Sequence, residues 1–213
     1  MGHALWPLYD LRVRTPDLEL RLPTEGELVE LCAVAKAGVH GPDFMPFRVP
    51  WTRKPSPQFE RGFIQHHWGL RADWSPERWN LALAVFHDGQ PMGFQHLVAE
   101  SFALVREVHT GSWLGQRFQG KGFGKQMRAA VLHLAFAGLG AVAANSSAYA
   151  GNLASLGVSR ALGYEENGVR RVAVESVVRD EILLRLTRER WAAHRHCEVE
   201  VFGLDSGREM LGV

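Results

Sequence analysis

Three glycines within five residues, Gly120, Gly122 and Gly124, lie in the segment Gln119–Lys125, between a strand-like run ending in Ser112-Trp113-Leu114 and a long amphipathic helical pattern. This placement constrains the fold more than any other feature of the chain. A strand that feeds a helix through so short a loop must return across its own sheet, and the next strand then lies parallel to the first in a right-handed crossover. Stripping side chains where a helix begins also frees backbone N–H groups to close around phosphate oxygens, and the helix terminus adds partial positive charge. The chain is expected to bind a phosphorylated ligand there.

The surrounding patterns fill in the architecture. Leu18–Leu22 alternates apolar and charged residues as a half-buried strand does. Thr24, with Glu25 and Glu27 in the first turn, opens a helix that runs to Lys36 and stops at Gly38. A stiff aromatic loop, Gly41–Trp51, contains three prolines, and Ser56-Pro57 begins a second helix reaching Leu70. Strands over Trp79–Phe86 and Met92–Ala99 flank the hairpin signal Asp88-Gly89, and Glu107–Leu114 is the next strand. Phe123, Met127, Ala130, Val131 and Leu134 then form one helical stripe, which continues to about Ala137 and ends at Gly138 and Gly140. A strand over Ala141–Tyr149 follows, then a short helix from Gly151-Asn152 to Gly163, then strands at Val169–Val174 and Glu181–Leu186. The order predicts an α/β (α+β) fold: a mixed, mostly antiparallel sheet with one parallel pair and helices on both faces. With no linker or repeat, residues 1–213 are expected to form a single domain, of which 188–213 is a C-terminal extension without a clear pattern.

Charge and composition exclude several functions. The 24 basic and 23 acidic residues are mixed, with no basic block to follow a nucleic acid. No apolar run is long enough to span a bilayer, and no basic stretch followed by an apolar one opens the chain, so a cytoplasmic protein without a membrane partner is expected. Cys32 and Cys197 are the only cysteines and are read as free thiols, with Cys32 packing on an apolar helix face. His66-His67 are adjacent on a helix and should point apart, and His194-x-His196 has no second cluster, so no metal is expected.

Three phosphate-binding patterns compete for the glycine loop. A Walker A loop needs Ser or Thr after Gly-Lys to hold magnesium, and here Gly124-Lys125 is followed by Gln126. The dinucleotide fingerprint needs a third glycine where Lys125 stands. The pattern Gln/Arg-x-x-Gly-x-Gly/Ala is met by Gln119, Gly122 and Gly124. Its context adds the strand end Gly111-Ser112-Trp113-Leu114-Gly115, then Asn152-x-x-Ser155, then Gly163-Tyr164. Over Glu107–Tyr164 the chain resembles the GNAT acyltransferase superfamily, and within it the RimJ/RimL type. The segment from Met45-Pro46-Phe47 to Pro50-Trp51 is similar to that of actinobacterial-type members, some of which use succinyl-CoA.

The resemblance implies an N-acyltransferase with acetyl-CoA or succinyl-CoA as co-substrate. It places CoA in a cleft where the strand ending at Leu114 and the strand Ala141–Tyr149 splay apart. Trp113, Leu114 and Gly115 would offer backbone groups to the pantetheine arm, and an N–H near Leu114 would polarise the thioester carbonyl. Gln119, Gly120, Lys121, Gly122, Phe123, Gly124 and Lys125 would hold the diphosphate through their N–H groups. Asn152 would reach the same arm, with a plain N-cap as the alternative, and Ser155 would assist it. Strand alternation sets Glu107, His109, Gly111 and Trp113 on one face. His109 stands where the family often has a carboxylate and is the first candidate base, with Glu107 second. Ser159 falls where many members place a tyrosine that protonates the thiolate, a role to which serine is poorly suited. Tyr164 reads as core.

On the acceptor side, Phe44, Met45, Phe47 and Trp51 could line an entrance, and Arg48, Arg53 and Lys54 could bind a carboxylate. The resemblance implies a primary amine as acceptor, of a protein N-terminus or a small molecule; protein N-terminus, lysine, amino acid and aminoglycoside all stay open. A catalytically silent acyl-CoA sensor and a P-loop-like nucleotide binder are the other readings. A homodimer or higher homo-oligomer through the C-terminal segment is open.

Overall fold

The computed structural model describes residues 3–213. Nine strands make one sheet: β1 (Arg12–Arg14), β2 (Glu19–Arg21), β3 (Arg78–His87), β4 (Gln90–Glu100), β5 (Glu107–Leu114), β6 (Ala143–Tyr149), β7 (Glu165–Val174), β8 (Val177–Thr187) and β9 (Glu200–Phe202). Their spatial order is β7-β8-β6-β5-β4-β3-β2-β1-β9. Every neighbouring pair is antiparallel except β5 with β6, the pair joined by the glycine loop and its helix. The helices are α1 (Glu25–Lys36), α2 (Gln58–Ala72), α3 (Phe102–Val105), α4 (Phe123–His133), α5 (Leu153–Ala161) and α6 (Arg188–Ala193).

Local chemistry explains these elements. Thr24 and Glu27 form a reciprocal capping box at the start of α1. Asp88 and Gly89, both with positive φ, close the β3–β4 hairpin in the manner that matches strand twist. Leu81 to Phe86 are buried without interruption, as expected for a strand covered on both faces. At the centre of the sheet, β4 passes so close to β5 that a Cβ on Gly93 would lie 2.1 Å from the Trp113 carbonyl oxygen, so only glycine fits there. Core positions of α4 continue past His133 into a wider π-type turn, Leu134–Gly138, and Gly140 with φ +76° turns the chain into β6.

The structure adds elements that the sequence patterns do not announce. β1, β9, α3 and α6 are short, and β7 and β8 are longer than their apolar cores suggest. β6 begins two residues late, because the Ala141 N–H is spent on Ala135 and the Val142 N–H on Arg106. The C-terminal segment is not a free arm. It supplies β9 beside β1, buries Leu204 and Leu211, and takes indole hydrogen bonds from Trp74 to Met210 O (2.8 Å) and from Trp79 to Leu211 O (3.1 Å). Both cysteines are free, and burial pushes the Cys32 thiol up, away from nucleophilic use. Among the described residues no helix is long and apolar enough to cross a membrane.

Candidate active site

The site begins where the sheet comes apart. β5 and β6 are paired from Glu107 opposite Ala143 to Thr110 opposite Ser146, and no further. β5 nonetheless continues to Leu114 on β4, and β6 continues to Tyr149 on β8. The two parallel strands therefore fork. Gly115 donates its N–H to Met92 O at 2.9 Å. Antiparallel alternation then turns the backbone of Trp113 toward β4 as well, and that of Ser112 and Leu114 toward the fork. The Leu114 carbonyl accepts the Gln119 side-chain amide at 2.8 Å. Left facing the gap are both backbone groups of Ser112 and the N–H of Leu114. This corrects the expectation for Trp113 and Gly115, whose backbone groups are used within the sheet.

The glycine loop supplies a second set of bare amides. Gly120 and Gly122 adopt φ of +74° and +87°, a region glycine enters without steric cost. Gln119 N–H bonds to Gln116 O, and Lys125 N–H to Gly122 O. The N–H groups of Gly120, Lys121, Gly122, Phe123 and Gly124 have no hydrogen-bond partner among the described residues. The cradle is thus five residues long. Gln119 and Lys125 fall outside it, and the Gln119 side chain instead ties Val39 O (2.7 Å) to the end of β5. Gln126, standing where a magnesium-binding hydroxyl would be needed, holds the β1–β2 turn through Thr15 (2.9 Å) and Asp17 (2.6 Å).

On the α2 side, the fork borders a cavity of about 380 Å³. Its wall is aromatic: Phe47, Trp51, Phe59, Phe63 and Trp113, with Gly111 and Ser112 from β5. Lys54 is the one charged side chain in the lining, which also holds His66, His67 and His96. His96 Nδ1 lies 2.9 Å from Asn80 Oδ1. Because that oxygen only accepts, the ring proton sits on Nδ1 and Nε2 keeps a lone pair. Burial, then the neighbouring His66, pushes the His96 pKa down to about 4. His67 stacks on Phe94 with ring centres 4.2 Å apart, and burial pushes it down to about 2. Sequence reading missed His96. The only signal was its period-two spacing from Phe94 on a strand next to the glycine-rich unit.

The remaining expected residues divide. Glu107 and His109 do not line the cavity. His109 pairs with Asn145, one residue below the last rung of the fork, and keeps access to solvent. Desolvation and then Arg128 lower its pKa. Glu107 makes a two-pronged ion pair with Arg185 (2.6 and 2.8 Å) and accepts from Asn145 (2.9 Å), contacts that hold its carboxyl low. It is a structural anion, which corrects its candidacy as a base. Ser159 is fully buried and donates its hydroxyl to Ser155 O at 3.2 Å, so it is not free to protonate a leaving group. Asn152 caps α5 by accepting from Ser155 N–H at 3.2 Å. Ser155 itself is half-buried in the first turn. Phe44 and Met45 pack into a separate small core with Tyr149, Val172 and Val174, while Phe47 and Trp51 reach the cavity. Arg53 is paired with Glu175 (3.3 Å). Among the described residues there is no group of three or more His, Cys, Asp or Glu side chains able to hold a metal.

A mixed sheet that unzips at its one parallel pair, followed by bare amides at a helix start, is the architecture of the GNAT fold. A family model described as an acetyltransferase (GNAT) domain matches residues 17–165, and the chain belongs to that family. Among solved structures, RimJ of Mycobacterium smegmatis in complex with CoA-disulfide aligns with TM-score 0.69 at 18% identity, covering 89% of this chain and 97% of that one. RimL, a ribosomal alpha-N-protein acetyltransferase in complex with coenzyme A, aligns with TM-score 0.65 at 16% identity, covering 81% and 95%. A chimera of the spermidine N-acetyltransferase SpeG from Vibrio cholerae and hSSAT aligns with TM-score 0.64 at 15% identity, covering 83% and 98%.

Proposed function

We propose that the chain, acting as a single domain, transfers an acetyl group from acetyl-CoA to a primary amine. The observation that bears the reading is the alignment of five bare amides, Gly120 to Gly124, with the unpaired edge of β5. The loop amides at the start of α4 would take the diphosphate. Ser112 would pair with the amide-bearing pantetheine arm as an added strand does. The Leu114 N–H, free and facing the fork, would donate to the thioester oxygen as negative charge develops on it. Asn152, whose oxygen is spent on the helix cap, keeps its NH₂ for the same arm.

The amine would enter through the aromatic cavity. It must arrive neutral, which an α-amine, ordinarily titrating near ~8, does far more readily than a lysine near ~10.4. No carboxylate lines the cavity, so a polycation has no counter-charge there. The lining instead suits an amine attached to an apolar or aromatic group, as at a protein N-terminus or in a small aromatic molecule. Of the three neutral imidazoles in the lining, His96, whose ring is oriented by Asn80 with Nε2 left as acceptor, would take the proton. A weak base suffices, because the nitrogen becomes strongly acidic once its bond to carbon forms. His109, outside the lining, would act only through an intervening water. Acetyl is favoured over succinyl as the donor group because the cavity wall is apolar and aromatic, with Lys54 the one charged side chain in its lining.

The test is CoA release from acetyl-CoA and succinyl-CoA with a panel of peptide N-termini, lysine side chains and polyamines. Faster turnover of acetyl-CoA with an apolar N-terminal peptide is expected. Tight CoA binding with no turnover on any amine would instead identify a silent acyl-CoA sensor.

A further inference from the structure

Arg128 is the most anomalous charged residue in the molecule. It lies in the second turn of α4, is 3% exposed, and has no carboxylate within ion-pair distance. Its Nη1 donates to Ser146 Oγ on β6 and its Nη2 to Ser112 Oγ on β5, each at 3.2 Å. Its Nε has no hydrogen-bond partner among the described residues. The other polar groups around it are neutral: the Tyr164 hydroxyl, itself 3.1 Å from Thr110 Oγ, and the imidazole of His109. A guanidinium remains charged in any protein, and burying it without an anion is unfavourable because its hydration is lost with no opposite charge to replace it. Neutral hydroxyls, those of Ser112 and Ser146 with Tyr164 as a third partner, repay only part of that. Such a group is retained when an anion visits it.

The topology says where that anion would form. Ser146 belongs to the last rung of the zipped seam, and Ser112 lies just beyond it. Arg128 therefore spans the fork at its vertex, on the α4 side. A molecule held by the loop amides on that side and reacting in the cavity on the other must pass this point. The inference rests on the acyl-CoA reading above and deepens it: we propose that Arg128 stabilises the departing CoA thiolate. The amine nitrogen bonds to the carbonyl carbon, and the carbonyl electron pair moves to oxygen. The returning pair expels sulfur, which leaves with the C–S electrons as thiolate, while the nitrogen's proton goes to the base. Arg128 gives up no proton. It presents N–H groups to sulfur, in place of the acid that Ser159 cannot be. The thiolate takes its proton from water on release.

The test compares CoA with desulfo-CoA, which lacks the thiol, by titration calorimetry from pH 6 to pH 9. Wild-type protein is expected to bind CoA increasingly more tightly than desulfo-CoA as pH rises, by tenfold or more at pH 8, with the ultraviolet absorbance of a bound thiolate. In Arg128→Gln this preference should fall below twofold, with desulfo-CoA affinity unchanged. Arg128→Lys should restore part of it. A residue that merely spaced the strands would weaken both ligands equally. Equal binding of CoA and desulfo-CoA to the wild type at every pH overturns the proposal, whether or not any variant folds. Failure of both ligands to bind overturns the acyl-CoA reading itself.

Discussion

Thr110 and Ser146 form the last rung that joins β5 to β6, and the Ser146 hydroxyl reinforces it by donating to Thr110 O at 3.2 Å. Below this rung the seam is an ordinary parallel ladder. Above it, both backbone groups of Ser112 and the N–H of Leu114 have no partner among the described residues. A sheet edge left open inside a fold is costly unless a ligand completes it.

Leu114→Pro tests that use directly. Proline removes one N–H, and at this position the N–H faces the fork rather than β4, so the ladder loses nothing. The variant is expected to fold with a modest loss of thermal stability and to lose roughly 100- to 1,000-fold in kcat, the scale for deleting one oxyanion donor. Trp113→Pro, which removes a ladder N–H instead, is expected to destabilise the fold. Steady-state turnover alongside thermal melting separates the two effects. Near-wild-type kcat for Leu114→Pro would remove the amide from the mechanism.

The glycine loop gives a graded prediction. A Cβ on Gly124 would meet only Val158, at an ordinary 3.5 Å, whereas Gly122 has φ +87° and open space around it. Gly124→Ala should leave CoA affinity within about threefold. Gly122→Ala forces a left-handed alanine, costing roughly 1–2 kcal/mol, and puts a methyl where the diphosphate would sit. CoA affinity should fall by tenfold or more, as measured by calorimetry. Equal affinities for the two variants would mean that the loop serves only the turn.

How legible all this was in the sequence depends on how local each feature is. The βαβ crossover, the hairpin at Asp88-Gly89 and the cap at Thr24 announce themselves through neighbouring residues, and the structure has each of them. β1 and β9 are three residues each and pair across nearly the whole chain, Arg12 with Phe202, so no local pattern could show them. The site divides in the same way. The loop glycines were readable because their backbone requirement is local. His96 and Arg128 were not, because what makes them unusual is their company: Asn80 from the next strand for one, and two serines from separate strands for the other. Glu107 looked available until Arg185, 78 residues away, took it.

The proton acceptor can be identified from a pH profile. If His96 takes the proton, its pKa near 4 keeps it neutral throughout the working range, and kcat/KM should climb with pH only as the acceptor amine deprotonates. The profile should level off near ~8 for an N-terminal peptide and climb to about 10 for a lysine. His96→Gln should lower kcat by roughly 10²–10⁴, the usual contribution of a positioned base, with the limb unchanged. His109→Gln should cost less than about threefold. The reverse ranking would return the role to His109.

The same buried imidazoles set the acid stability of the fold. His67 and His96 have folded pKa values pushed below the ordinary 6.5, to about 2 and about 4, chiefly by burial. The unfolded chain therefore takes up their protons first as pH falls. Their stabilising effect is complete above pH 6.5 and declines below it. For His96 the decline ends near pH 4, and for His67 it continues toward pH 2. Each histidine adds a slope of about 1.4 kcal/mol per pH unit within its window. His66, His109 and His133 are displaced in the same direction and add to it. Urea unfolding at pH 7.5, 6 and 5 should show stability dropping well before the carboxylates titrate, and His67→Gln should reduce the slope by about one proton. A flat profile between pH 7 and pH 5 would mean that these rings take up protons as readily in the native state as in the unfolded chain, so that burial does not hold His96 neutral and its pH-independent role as acceptor would fail.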